Sequence, residues 1–202
     1  MAQNIKDSQF RELVRSQLRK SGLSKRSALS SQEREIFSYR ACSHLLHNLE
    51  QRREDFSRMM LAGYWPIKSE IDPRPLFEAV TARGGHLALP AVLDSTTMVF
   101  RAFSQNTVLE PMRFGTLGPG SENAVVVPSI IIVPLSAFDS QCHRLGYGGG
   151  YYDRAVEVLQ KQGHHVHLVG LGFSCQEGET IPDAEHDLIL EGIFTENGFL
   201  IP

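Results

Sequence analysis

Three consecutive elements constrain this chain more than anything else in it: a buried strand, a glycine loop and a helix. Ile130-Ile-Ile-Val133, inside the segment Val125 to Leu135, is the most apolar run. Successive strand residues face opposite sides of a sheet, so an unbroken apolar run calls for cover on both faces. The loop Arg144-Leu-Gly-Tyr-Gly-Gly-Gly-Tyr-Tyr-Asp-Arg154 follows, and from Tyr151 to about Gln162 the residues Ala155, Val156, Val158 and Leu159 recur at helical spacing up to Gly163.

The flanking sequence repeats the alternation. Short apolar runs at Met59–Trp65, His86–Leu89, Met98–Phe103 and His167–Phe173 are separated by helical or turn-rich stretches, among them Pro75–Arg83. Two helices precede them. The first is expected from Ser8 to about Arg19, ended by Gly22, with Phe10, Leu13, Val14 and Leu18 on one face and Arg11, Arg15 and Arg19 on another. The second is expected from Ser31 to about Glu50 behind an N-cap at Ser30 or Ser31, with Phe37, Ala41, Leu45 and Leu46 inward. Pro111–Asn123, rich in Gly and Pro, is expected as a surface loop, and Leu188-Ile-Leu190 as the strand closing the sheet edge. The expected fold is α/β: a three-layer, Rossmann-like arrangement with a mostly parallel central sheet flanked by helices. With 202 residues, 42% of them apolar, residues 1–202 are expected to form a single domain around one core.

A glycine loop between a strand and a helix aims free backbone N–H groups and a positive helix end at one point, which suits an anion, most often phosphate. Side chains would block that approach. Arg144 and Arg154 add charge-assisted hydrogen bonds, and Asp153 offers a hard oxygen for a magnesium ion bridging phosphates. The loop lacks the Lys-Ser/Thr ending of a Walker A sequence and the spacing of a dinucleotide fingerprint. Taken alone, it is compatible with a purely structural turn. Net charge is −3 from 20 basic and 23 acidic residues, so no global field draws nucleic acid or an acidic membrane, and neither partner is expected. Cys42, Cys142 and Cys175 lack zinc-like spacing and suit free thiols in a reducing compartment, and residues 1–20 contain no apolar signal core, so a cytoplasmic location is expected. His164, His165 and His167 sit between Gly163 and a strand with no carboxylate or thiol at ligand spacing in the sequence, so no metal site is expected there, and Cys142 is not expected as a nucleophile.

The string Arg144–Arg154 resembles the signature of the 5-formyltetrahydrofolate cyclo-ligase (methenyltetrahydrofolate synthetase) family, and its neighbours resemble that family in order. Val133-Pro-Leu-Ser-Ala-Phe-Asp139 stands before it, and Tyr64-Trp-Pro-Ile-Lys-Ser-Glu-Ile-Asp72 and Leu89-Pro90 earlier still. Ile181-Pro182, His186-Asp187 and Thr195-Glu196 stand after it. The resemblance implies ATP-dependent closure of 5-formyltetrahydrofolate to 5,10-methenyltetrahydrofolate, with release of ADP and phosphate through a phosphorylated formyl group and with Mg2+ as cofactor. It implies ATP contacts at Arg15, Arg19, Arg144, Leu145, Gly146, Tyr147, Gly148, Gly149, Gly150, Tyr151 and Tyr152. Folate contacts are implied at Trp65, Glu70, Tyr147, Gly148, Gly149, Gly150 and Tyr151, catalytic roles at Arg144, Tyr151 and Tyr152, and metal ligation at Asp153 and Asp187. A monomer or weak homodimer is expected. Two positions depart from the family pattern: Arg15, where lysine is common, and Gly118, where glutamate commonly precedes the proline. A non-catalytic nucleotide- or folate-binding protein, a thiamine-related regulatory paralogue and an enzyme activating another formyl or carboxylate substrate are the alternatives.

Overall fold

In the computed structural model the described residues are 2–182 and 187–202, with no account of the side chains of residues 2–6 and 8. Four α-helices and eleven short strands form in chain order: α1 (Ala2–Ala28), α2 (Ser31–Gln51), β1 (Met60–Ala62), α3 (Arg74–Ala82), β2 (His86–Val92), β3 (Met98–Phe103), β4 (Leu109–Pro111), β5 (Leu117–Pro119), β6 (Ile130–Pro134), β7 (Ala137–Phe138), β8 (Arg144–Leu145), α4 (Tyr151–Lys161), β9 (His167–Leu171), β10 (Gly192–Thr195) and β11 (Gly198–Leu200). Seven strands make the central sheet, in the order β11-β10-β9-β6-β1-β2-β3. The neighbours from β10 to β2 run parallel, and the edge strands β3 and β11 are antiparallel to theirs.

The apolar run of β6 does what its pattern demands. Ile130 and Ile132 point to the face covered by α2 and α3, together with Leu61, Val169 and Leu171, whereas Ile131 and Val133 point to the face covered by α4, together with Ala62 and Leu168. This is the expected three-layer α/β arrangement. The start of α2 is fixed by a capping box: Ser30 Oγ accepts from the Glu33 backbone N–H at 3.2 Å and Glu33 Oε2 accepts from the Ser30 N–H at 2.8 Å, a device worth about 1 kcal/mol.

Three elements differ from expectation. First, α1 does not stop before Gly22 but continues to Ala28. Gly22 lies against the chain between β6 and β7, where a Cβ would come within 2.2 Å of the Ser136 carbonyl oxygen. Glycine is present for close packing, and the helix absorbs its propensity cost of about 1 kcal/mol. The buried face of α1 is consequently the one bearing Arg15, Gly22 and Arg26, while Phe10 and Leu13 are exposed. Second, the Pro111–Asn123 segment is not an open loop, because β4 and β5 pair antiparallel with Glu110 opposite Gly118. Third, Leu188–Leu190 forms no strand. Leu190 is fully buried in the α4-side core, and the sheet edge is built by β10 and β11 instead.

From β1 the chain proceeds to β2 on one side and later to β6, β9 and β10 on the other. The sheet therefore has a topological switch point between β1 and β6, where α/β folds open a crevice beyond the carboxyl ends of their strands.

Candidate active site

A cleft of about 540 Å³ opens there, lined by Pro134 at the end of β6, by Trp65 and Glu70 after β1, and by the glycine loop. The route into that loop differs from the sequence expectation. The central strand ends at Pro134, and the antiparallel ribbon β7–β8 intervenes before the loop. A buried carboxylate supports the ribbon. Asp139 Oδ1 accepts from the backbone N–H groups of Gln141 and His143 at 3.0 Å each, and Oδ2 accepts from the Ile181 N–H at 2.8 Å and faces His143 Nδ1 at 3.0 Å. Gln176 braces the preceding turn by donating to the Leu135 and Ser136 carbonyls.

The loop itself has the geometry of an anion cradle. Gly148 and Gly150 have φ of +90° and +64°, and Gly150 is the N-cap of α4 with no side chain capping the helix. Left-handed backbone at these positions strains any residue with a Cβ and leaves the first N–H groups of the helix open to the cleft. Arg144, on β8, is nearly buried. Its Nη2 donates to Asp153 Oδ1 at 2.9 Å, while its buried Nε has no partner among the described residues. An unpaired buried donor of this kind calls for a partner, and an anion is one that fits. Leu145 stands apart from the other loop residues, since its side chain is fully buried with Ala137 and Ile181 against Leu18, away from the cleft.

Helix α1 delivers two arginines to the same cleft. Arg15 forms a bidentate pair with Asp187, Nη1 to Oδ2 at 2.6 Å and Nη2 to Oδ1 at 2.8 Å, and also donates to the Pro182 carbonyl at 2.8 Å. Arg19 donates from Nε to the Gly146 carbonyl at 3.2 Å and from Nη1 to Glu12 at 2.7 Å. Asp153 accepts a long contact of 3.4 Å from the backbone N–H of Leu188, which brings the segment carrying Asp187 beside it. No group of three or more His, Cys, Asp or Glu side chains able to hold a metal occurs among the described residues. Magnesium is commonly held by one or two carboxylates together with substrate phosphates, and two cleft-lining aspartates fit that donor set. His186 of the expected closing motif lies outside the described residues.

The opposite wall is aromatic and acidic. Trp65 packs edge-on against Phe103 with ring centroids 6.0 Å apart, and the Arg74 guanidinium lies 5.1 Å from its ring centroid. Glu70 ends a tight turn in which its own N–H donates to the Ile67 carbonyl at 3.0 Å and its Oε2 accepts from the Ile67 N–H at 2.9 Å. Burial pushes the Glu70 carboxyl above its ordinary range, against the opposing pull of the Ile67 N–H, Arg26, Tyr147 and Lys68. Tyr147 bridges the walls: it belongs to the glycine loop, interacts with Glu70 and accepts a 2.8 Å hydrogen bond from Arg26 Nη2. Burial raises its phenol as well. Tyr151 donates its hydroxyl to the Asp94 carbonyl at 3.2 Å. Tyr152 packs against Phe100, and desolvation raises its phenol above the usual range.

The cleft thus brings together Arg15, Arg19, Trp65, Glu70, Arg144, residues 146–153 and Asp187, leaving out only Leu145 among the expected residues. Sequence reasoning missed Phe114, Thr116 and Leu117, which line the cleft from the β4–β5 segment, and Arg26 behind Tyr147. Arg26 was legible in principle. Arg15, Arg19, Gly22 and Arg26 recur at spacings of four, three and four, one helical face, once Gly22 is read as a packing residue instead of a terminator.

Residues 11–196 match the model of the 5-formyltetrahydrofolate cyclo-ligase family. The chain is 27% identical over 190 residues to a 5-formyltetrahydrofolate cyclo-ligase of Haemophilus influenzae, covering 91% of this chain and 96% of that protein. Among solved structures it is similar to the 5,10-methenyltetrahydrofolate synthetase of Aquifex aeolicus, with 32% identity, a TM-score of 0.72 and coverage of 93% and 92%. It is also similar to that of Mycoplasma pneumoniae, with 25% identity, a TM-score of 0.70 and coverage of 90% and 98%.

Proposed function

Because the chain belongs to the 5-formyltetrahydrofolate cyclo-ligase family, we propose that it is an enzyme that closes 5-formyltetrahydrofolate to 5,10-methenyltetrahydrofolate at the expense of ATP. The observation that carries this reading is the pairing of two unlike walls in one cleft. A glycine cradle with Arg15, Arg19 and Arg144 faces an aromatic and acidic wall with Trp65 and Glu70.

In the proposed reaction the formyl oxygen attacks the γ-phosphorus of ATP, ADP leaves, and an N5-bound iminium phosphate results. The N10 lone pair then attacks the activated carbon, N10 loses its proton, and the C–O bond breaks to release phosphate. Such transfers depend chiefly on positioning and charge neutralisation. The backbone N–H groups of Gly148 to Tyr152 and the Arg144 guanidinium would hold the phosphates, with Arg15 and Arg19 supplying further positive charge from α1. Glu70 would accept hydrogen bonds from the amino-pyrimidinone edge of the pterin, and Trp65 would pack against its ring. The Tyr152 phenol would act as a hydrogen-bond donor. Asp153 and Asp187 would hold magnesium, which when bound neutralises charge on the phosphates. Each of these carboxylates is also paired with an arginine of the cleft, Asp187 with Arg15 and Asp153 with Arg144.

Folate labelled with 18O in the formyl group tests the mechanism. Recovery of the label in inorganic phosphate is expected. Recovery in water would exclude phosphorylation of the formyl oxygen. The single domain 1–202 and the assignment of all site residues are part of the same proposal.

A further inference from the structure

Arg26 does not line the cleft, yet the residue is only 2% exposed and its guanidinium joins three segments that build it. Nε donates to Ser69 Oγ at 3.2 Å, in the turn that ends at Glu70. Nη1 donates to the Leu135 carbonyl at 3.4 Å, just beyond β6. Nη2 donates to the Tyr147 hydroxyl at 2.8 Å, in the glycine loop, and the guanidinium carbon lies 6.0 Å from the centre of the Tyr147 ring. The turn it reaches is itself constrained. Lys68 within it has a φ of +53°, and Ser27 reaches Ser69 at 3.1 Å. Burying an arginine is costly unless its donors are used, and here one contact goes to Tyr147 of the cleft wall and the other two to Ser69 and Leu135, the neighbours in sequence of the lining residues Glu70 and Pro134.

We propose that Arg26 is a positioning residue that fastens the glycine loop to the Ile67–Glu70 turn, holding the Tyr147 hydroxyl beside Glu70 and so fixing the folate wall relative to the nucleotide wall. The planar fork of arginine suits this task, since it donates in several directions at once, which a lysine ammonium on a flexible stem does not reproduce. The inference rests on the proposed folate role of Glu70. It adds that recognition of folate is set from α1 through a residue that never touches the ligand.

The test is a double-mutant cycle on Arg26→Gln and Tyr147→Phe, read as the KM for 5-formyltetrahydrofolate, the KM for ATP and the direct binding of the folate without ATP. Losing a hydrogen bond to a charged group predicts a rise in folate KM and Kd of about tenfold for Arg26→Gln. For Arg26→Gln the KM for ATP should stay within about twofold, and for the folate the double variant should be no worse than the poorer single one, since both changes break one linkage. Effects that multiply, or a lowered Tm with unchanged folate KM, would overturn the proposal. If Arg26→Gln does not fold, Arg26→Lys is judged by the same criteria. Wild-type protein that binds the folate without converting it overturns the catalytic reading while the binding cycle still decides on Arg26. Wild-type protein that does neither overturns both.

Discussion

On its proposed folate role, Glu70 trades stability for binding. Its carboxyl is held above the ordinary range chiefly by burial, so between its unfolded and folded values the native state retains more protons than the unfolded chain. Stability therefore falls as pH rises through that window, and above it the ionised group is a net cost. Glu70→Gln removes the cost. Its Tm should exceed that of the wild type at neutral pH, with the difference closing as pH falls below about 4.3, the usual glutamate value. The same variant should raise the KM for the folate by about tenfold or more through loss of a charged acceptor. Thermal melts across pH and steady-state kinetics check the two halves, and a variant both less stable and unimpaired would contradict them.

Gly118 is the other informative residue. A Cβ here would lie 2.4 Å from the Pro90 carbonyl oxygen and 2.9 Å from the Met112 side chain. Glycine at this position lets β5 pack close against β2. Gly118→Ala should lower stability by about 1–3 kcal/mol, the usual range for overpacking, and Gly118→Glu by more. Denaturant unfolding gives the measurement, and a neutral result for alanine would mean that the two strands separate easily.

At the scale of elements, α1 carries the strongest prediction because two effects oppose each other. Propensity alone says that Gly22→Ala should stabilise the helix by about 1 kcal/mol. The 2.2 Å approach to the Ser136 carbonyl says that it should push the helix off the β7–β8 ribbon, and backbone does not yield as a flexible side chain does. Loss of stability is expected together with a raised KM for ATP, because Arg15 and Arg19 are displaced with the helix. A more stable variant with normal ATP affinity would show that α1 is not anchored there. The same helix marks how far sequence patterns reach. The run Ile130–Val133, the loop Arg144–Arg154 and the capping box at Ser30 are local, so their structure follows from neighbouring residues. The continuity of α1 through Gly22, the pairing of β4 with β5 and the edge strands β10 and β11 depend on contacts with distant backbone, which spacing along one chain does not encode. Arg26 became invisible once Gly22 was read as a stop.

For the molecule as a whole, the switch point between β1 and β6 determines where the cleft lies, and the two walls come from segments about 80 residues apart in sequence (Trp65 to Arg144–Asp153). No helix among the described residues is long and apolar enough to cross a membrane. The cleft residues were legible because an ordered set of motifs resembled one family. Their mutual contacts were not, since arginine–aspartate pairs such as Arg15–Asp187 span 172 positions. The central claim is that both walls serve one reaction, and conversion itself tests it most directly. Purified protein supplied with 5-formyltetrahydrofolate, ATP and magnesium should generate the methenyltetrahydrofolate absorbance, with one ADP formed per product and none without ATP. Folate left unchanged under these conditions, or ADP formed with no methenyl product, would contradict the account.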